Sequence, residues 1–316
     1  MLENLDFLKL FGGFVYLLMG GELLVRGALG LAKESKIPPV IVGMTVVAMG
    51  TSAPELLVST FSALSGYPGI AIGNVVGSNI ANVLLVLGLP VLIYPIATNQ
   101  EGIGKQTGLM VAVSLLLIVL CLLEPITFWE GVLLVFILVW FLVLTTRGVA
   151  MMPGLDDAEE EMEQSLGLPS YPSTIVLLIA LGAIALPVGA NLVVEGGVGL
   201  AMSWGVSEAV IGLSLIALGT SLPELSTTII AAMHKSSDVA IGNVVGSNLF
   251  NILAILGITA LLTDIPVDPQ FIRFDLWVMF AATVLLWIYV LAKKSIGRIS
   301  GILFLTGYFS YLYAIY

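Results

Sequence analysis

The sequence predicts an all-α polytopic membrane protein: ten transmembrane helices in two five-helix repeats that cross the membrane in opposite directions. Three observations carry that prediction. Of 316 residues, 59% are hydrophobic and only 10% charged, with a mean hydropathy of +1.10, whereas about a quarter of a soluble domain is charged. Apolar runs of about 20 residues recur, each enough as helix to cross a hydrocarbon core of about 30 Å. Two polar signatures, Gly50-Thr51-Ser52-Ala53-Pro54-Glu55 and Gly219-Thr220-Ser221-Leu222-Pro223-Glu224, each lie near the middle of an apolar run.

In order, the spans cover about 7–31, 38–64, 70–94, 107–123 and 128–145, then 174–202, 207–233, 239–262, 271–292 and 296–313. The amino terminus, Met-Leu-Glu-Asn-Leu-Asp, lacks the basic segment of a cleaved signal peptide, so the first span is expected to be retained. Between the fifth and sixth spans, Pro153, Gly154, Pro169 and Pro172 surround an acidic run at 156–163. This reads as a solvated linker, too short for a domain of its own. The expected organisation is a first repeat at 1–146, a linker at 147–172 and a second repeat at 173–316.

Much of the net charge of −10 belongs to that linker, and the basic residues are too few and scattered for a nucleic-acid surface. They do set an orientation. Arg26, Lys33, Lys36, Lys105, Arg147, Lys235, Lys293, Lys294 and Arg298 fall at connections on one side, and only Lys9 and Arg273 on the other. The richer side is cytoplasmic by the positive-inside rule, which puts both termini outside a cell membrane and the linker inside. The single cysteine, Cys121, excludes an intrachain disulfide and a multi-cysteine metal site, and reads as a small buried or lipid-facing residue.

The repeat extends well beyond the signatures at a constant offset of 169. Residues 20–27 match 189–196, Gly43 matches Gly212, and Ala48 matches Ala217. Ala71-Ile-Gly-Asn-Val-Val-Gly-Ser-Asn79 is identical to residues 240–248, and Asn82 matches Asn251. Five spans separate corresponding points, and five is odd, so the halves are inverted. Inverted repeats with Gly/Pro-interrupted segments in matching places are a transporter architecture, with the site near the midplane.

The chemistry follows from residue types and spacing. Pro54 and Pro223 lack N–H groups and clash with the carbonyls of Gly50 and Gly219, so each span should bend there and free backbone oxygens. Such a break survives in lipid only if it is buried in protein or lines a wet cavity. Thr51 and Glu55 are four apart and share a face, with Ser52 beside them. The following span adds Asn74, Ser78 and Asn82, and its copy Asn243, Ser247 and Asn251. Gly69, Gly73, Gly77, Gly242 and Gly246 form small-residue faces for close packing. An oxygen-only donor set suits hard cations such as Na⁺ and Ca²⁺. Hydroxyls and amides also glue helices together, but an intramembrane carboxylate is a functional residue by default, which singles out Glu55 and Glu224. Glu22 and Arg26 read as a local i,i+4 salt bridge. Glu195 has no evident local partner, and His234, in a polar turn beside Lys235, reads as solvated.

The paired Gly-Thr-Ser-x-Pro-Glu and Gly-Asn-x-x-Gly-Ser-Asn segments resemble the two α-repeats of the calcium/cation antiporter superfamily. Within it, the chain is most similar to compact prokaryotic sodium/calcium exchangers, over nearly its whole length. The resemblance implies the sodium/calcium exchanger fold, with spans 2, 3, 7 and 8 as a core and long spans 1 and 6 sliding against it. It also implies a cation ligand set: the Ala48 carbonyl, Thr51, Ser52, Glu55, Ser78 and Asn82, with the Ala217 carbonyl, Thr220, Ser221, Glu224, Ser247 and Asn251. Some members, notably potassium-dependent exchangers, carry Asp where this chain has Asn251, so the resemblance leaves two site carboxylates rather than three.

The function expected is secondary antiport of Ca²⁺ against Na⁺, with no cofactor, the ions binding as substrates. A Na⁺ load carrying one charge more than Ca²⁺ would feel about 2.3 kcal/mol per charge per 100 mV. Ca²⁺/H⁺ exchange by the same fold is the alternative, since a glutamate between apolar helices can also carry protons. Broken helices and carboxylates line channel filters too, but inverted duplication favours alternating access. No His-Glu-x-x-His motif and no catalytic context for the lone His and Cys point to an enzyme. The oligomeric state is not encoded in any feature of the chain.

Overall fold

The computed structural model describes residues 2–100, 102–123, 125–149, 168–204 and 219–315. Among them, helices follow one another in the order α1 (Leu2–Ser35), α2 (Pro39–Thr51), α3 (Ala53–Leu64), α4 (Pro68–Ile93), α5 (Ile103–Leu123) and α6 (Phe128–Val149). The second half gives α7 (Pro172–Ser203), α8 (Leu222–Met233), α9 (Ser237–Leu262), α10 (Phe271–Leu291) and α11 (Arg298–Ile315). Among the described residues the structure is all-helical, with two backbone bridges, Ile96–Ile296 and Ile126–Ile265, in the loops at the helix ends. Ile96 and Ile265 are repeat equivalents, so each half contributes the same loop to one bridge.

Among the described residues, seven helices are long and apolar enough to span a membrane, and α2 and α3, bent by 45° at Ser52, are so when taken together. The seventh predicted span is described only from Gly219, with the 12-residue α8 as its second part. α11, the tenth, has 18 residues but is less apolar, with Arg298 at its start and Tyr308, Tyr311 and Tyr313 along it. The acidic run at 156–163 lies outside the described residues.

α1 and α7 have 34 and 32 residues, about 50 Å each at 1.5 Å per residue. They pack antiparallel along glycines spaced by seven: Gly13, Gly20 and Gly27 against Gly182, Gly189 and Gly196. A Cβ on Gly189 would sit 2.8 Å from the Leu17 nitrogen, and one on Gly20 3.1 Å from that of Leu186. Backbone meets backbone along this seam, which is how membrane helices gain dispersion contact without a hydrophobic drive.

α9 runs through the centre, with every residue from Val239 to Gly257 buried. It lies against α2, where Gly43 and Gly242 admit close approach; a Cβ on Gly43 would be 3.0 Å from the Val239 carbonyl. Gly73 meets Phe271, whereas nothing described lies within 4 Å of a Cβ on Gly69 or Gly77. The repeat equivalent of the α2 segment that packs on Gly242 and Gly246 lies within the undescribed 205–218. On the basic side, α1, α8 and α10 are followed by Lys36, Lys235 and Lys293 in the left-handed region (φ 55°, 57° and 49°). Gly66, the repeat equivalent of Lys235, does the same after α3 at φ 90°. Lysine thus stands where glycine would fit at lower backbone cost.

Candidate cation site

The first signature ends one helix and begins another, and the second is described from Gly219, where it leads into α8. α2 stops at Thr51, Ser52 breaks it (φ −86°, ψ 3°), and α3 starts with Pro54 in its first turn. In the second half Ser221 has φ −87° and ψ 2°, and α8 starts with Pro223 in its first turn. The break therefore falls two residues before each proline, because a residue with no N–H is tolerated in a first turn, where that donor has no helical acceptor. Glu55 and Glu224 consequently stand in the first turns of α3 and α8, where the helix dipole favours negative charge.

The crossing helices α4 and α9 each contain a π-helical turn, Asn82–Val86 and Asn251–Leu256. It opens at the last residue of the predicted polar series, and the Leu87 N–H reaches back five residues to the Asn82 carbonyl at 3.2 Å. Such bulges recur at functional sites because they re-aim side chains.

The two halves then bond to each other in matched pairs. Thr51 Oγ1 donates to Asn243 Oδ1 and Thr220 Oγ1 to Asn74 Oδ1, both at 3.4 Å. Asn74 Nδ2 donates to the Glu55 carbonyl at 3.4 Å and to Ser59 at 2.9 Å; Asn243 Nδ2 donates to the Glu224 carbonyl at 3.3 Å and to Thr228 at 3.1 Å. Ser52 Oγ donates to Glu224 Oε1 at 3.1 Å. The mirror bond from Ser221 is not made.

Glu55 and Glu224 are each only 1% exposed. Among the described residues, Glu55 Oε2, Glu224 Oε2, Asn82 Oδ1, Asn251 Oδ1, Ser221 Oγ and Ser247 Oγ are buried with no hydrogen-bond partner. Buried oxygens are ordinarily satisfied, and a buried carboxylate is costly unless a counter-charge meets it. Orphaned oxygens on α3, α4, α8, α9 and the turn before α8 make this the candidate position for a cation. No three His, Cys, Asp or Glu side chains gather among the described residues; the orphaned atoms are carboxylate, amide and hydroxyl oxygens.

Of the predicted ligand positions, Thr51, Ser52, Glu55, Ser78, Asn82, Ser221, Glu224, Ser247 and Asn251 are buried, and Thr220 is half-buried in the turn before α8. Ala217 lies outside the described residues. The Ala48 carbonyl is buried but not loose: it accepts the Ser52 N–H at 2.9 Å and the Thr51 hydroxyl at 3.2 Å, because the helix holds until Ser52. Two expectations away from the site change. His234 is not merely solvated; its Nε2 lies 2.7 Å from Glu22, which also sits 4.0 Å from Arg26. Glu195 has partners, Lys9 at 2.9 Å across the α1–α7 seam and Asn191 at 2.7 Å. Asn79 and Asn248, absent from the expected ligand set, bond across the core to Asn251 and Asn82. Their one signal in the sequence is membership of the identical nine-residue segment.

The family described as sodium/calcium exchanger protein matches residues 6–147 and 174–316, nearly the whole chain and both halves. The chain belongs to the sodium/calcium exchanger family. It is 36% identical over 307 residues to the putative antiporter CaxA of Alkalimonas amylolytica, covering 96% of each chain. It is 30% identical to the sodium/calcium exchanger MaX1 of Methanosarcina acetivorans, covering 99% of each. A solved structure of the sodium-calcium exchanger NCX_Mj, soaked with 10 mM Na⁺ and no Ca²⁺, superposes with a TM-score of 0.84 at 29% identity over 100% of both chains. The exchanger fold, with its two inverted repeats, is therefore the fold of this chain.

Proposed function

We propose that the protein is a secondary antiporter exchanging Ca²⁺ for Na⁺ across the cell membrane by alternating access. The carrying observation is the cluster of unpartnered buried oxygens around Glu55 and Glu224. Two ionised carboxylates carry −2, which one Ca²⁺ neutralises, and hard cations take oxygen donors of this kind. Na⁺ ions using the same oxygens exclude Ca²⁺. If the helices rearrange only when the carboxylates are neutralised, mutual exclusion becomes coupled exchange.

In this reading the ligands are Thr51, Ser52, Glu55, Ser78 and Asn82 with Thr220, Ser221, Glu224, Ser247 and Asn251, together with the Ala48 and Ala217 carbonyls. No cofactor takes part, and the protein is a transporter rather than an enzyme. The first repeat is 1–146 and the second 173–316, with a cytoplasmic linker and both termini outside. The names of the relatives, a sodium/calcium exchanger and an antiporter, support the ion pair assigned here.

Proteoliposomes test it. Calcium uptake driven by an outward Na⁺ gradient at clamped pH is the expected result. Uptake that needs only a pH gradient and ignores Na⁺ would replace Na⁺ by H⁺ as the counter-ion. Unitary currents in planar bilayers would replace exchange by channel conduction.

A further inference from the structure

Asn82 and Asn251 each present an unpartnered Oδ1 in the buried core. An amide turns its oxygen one way only when its NH₂ is held the other way. Asn82 Nδ2 donates to Asn248 Oδ1 at 3.0 Å, and Asn251 Nδ2 donates to Asn79 Oδ1 at 2.9 Å. Both bonds cross from one repeat to the other, and all four asparagines are 1% exposed. Asn79 is itself fixed, because its Nδ2 donates to the Asn248 main-chain carbonyl at 3.3 Å. Turning Asn79 over would set its oxygen against that carbonyl. The acceptor facing position 251 is therefore locked and demands a donor there, whereas Asn248 Nδ2 is buried with no partner, so Asn248 holds Asn82 through its oxygen alone.

We propose that Asn79 and Asn248 are positioning residues of the cation site. Each holds the site amide of the opposite repeat with its oxygen toward the cation and its NH₂ away. Removing the acceptor at 248 lets the Asn82 amide rotate, which brings a positive NH₂ edge to the cation. The same holds for 79 and 251. The crossed arrangement also ties the two halves: neither repeat orients its own amide. This inference rests on the proposed cation site, and deepens it.

The test compares wild type, N248A, N82A and N82A/N248A, with N79A, N251A and N79A/N251A as the second cycle. Ca²⁺-dependent exchange is measured in proteoliposomes and normalised to inserted protein. In detergent, Ca²⁺ and Na⁺ titrations of the unfolding temperature give apparent affinities independently of transport. N248A is expected to raise the half-saturating Ca²⁺ about tenfold, the lower end for loss of a group that orients a metal ligand, with the maximal rate within about twofold of wild type. In the N82A background, N248A should add nothing further, because it acts through Asn82. A purely structural residue would lower the maximal rate and the folded fraction while leaving half-saturation alone, and that result overturns the proposal. So do additive effects of the two substitutions on cation affinity. Wild type that binds cations but does not exchange Ca²⁺ for Na⁺ would instead overturn the functional reading, while the affinity titrations still decide the role of Asn79 and Asn248.

Discussion

Replacing either glutamate by glutamine should separate cation binding from folding. Glu55 and Glu224 are equally buried, at 1% exposure each. E55Q and E224Q keep the side-chain shape but leave the site one charge instead of two. At an effective dielectric of about 20, a divalent ion and a carboxylate about 4 Å apart attract by roughly 8 kcal/mol, before desolvation is subtracted. Removing one partner of a buried ion pair costs about 3–5 kcal/mol net. At about 1.4 kcal/mol per tenfold, Ca²⁺ affinity should fall roughly a hundred- to a few thousand-fold in each variant. The new amide can donate to the remaining carboxylate, so the cation-free protein should unfold at no lower a temperature than wild type. The assay pairs Na⁺-driven Ca²⁺ uptake with thermal unfolding in detergent, with and without Ca²⁺. Normal exchange in either variant would refute a shared two-carboxylate site. A large difference between the two variants would refute the symmetry argument.

T51V and T220V each remove a hydroxyl that bonds the other half at 3.4 Å and is a proposed ligand; at about 1 kcal/mol or more per group, each should raise half-saturating Ca²⁺ at least about fivefold in uptake assays. G189V pushes a side chain into the α1 backbone and should lower the unfolding temperature through about 1–3 kcal/mol of overpacking, whereas G12A, with nothing within 4 Å, should leave it unchanged. H234A loses the 2.7 Å pair with Glu22 and should cost about 0.5–1.5 kcal/mol of stability, seen as a small shift in the same melt. Cys121, fully buried, should react with a maleimide only after unfolding, as mass spectrometry would show.

Much of this was readable because duplication makes a weak signal strong. One Gly-Thr-Ser-x-Pro-Glu in an apolar run is an oddity; two in the same register are a site. The odd number of spans between them then dictates inversion. Where the reading fell short, the missing information was a contact between segments far apart in sequence. The ion pair of Glu195 is with Lys9 on the opposing helix of the α1–α7 seam, which spacing along one helix does not show. His234 looked solvated because Glu22 approaches it from another helix. The glycine heptads of α1 and α7 are visible in the sequence once sought, but nothing short of the packed pair shows which helix they meet.

The chain by itself determined its membrane class, its inverted duplication, the two carboxylates and the oxygen-rich character of the residues around them, because composition and repeat register are one-dimensional properties. Only the tertiary structure decided which half serves which. A repeat offset says that Thr51 and Thr220 are equivalent; it does not say that Thr51 meets Asn243 of the other half. The same holds for the crossed amides of Asn82 with Asn248 and Asn251 with Asn79. Hydrogen bonds reach about 3 Å, and whether two side chains come that close depends on how the inverted halves interlock, which spacing along the chain does not record.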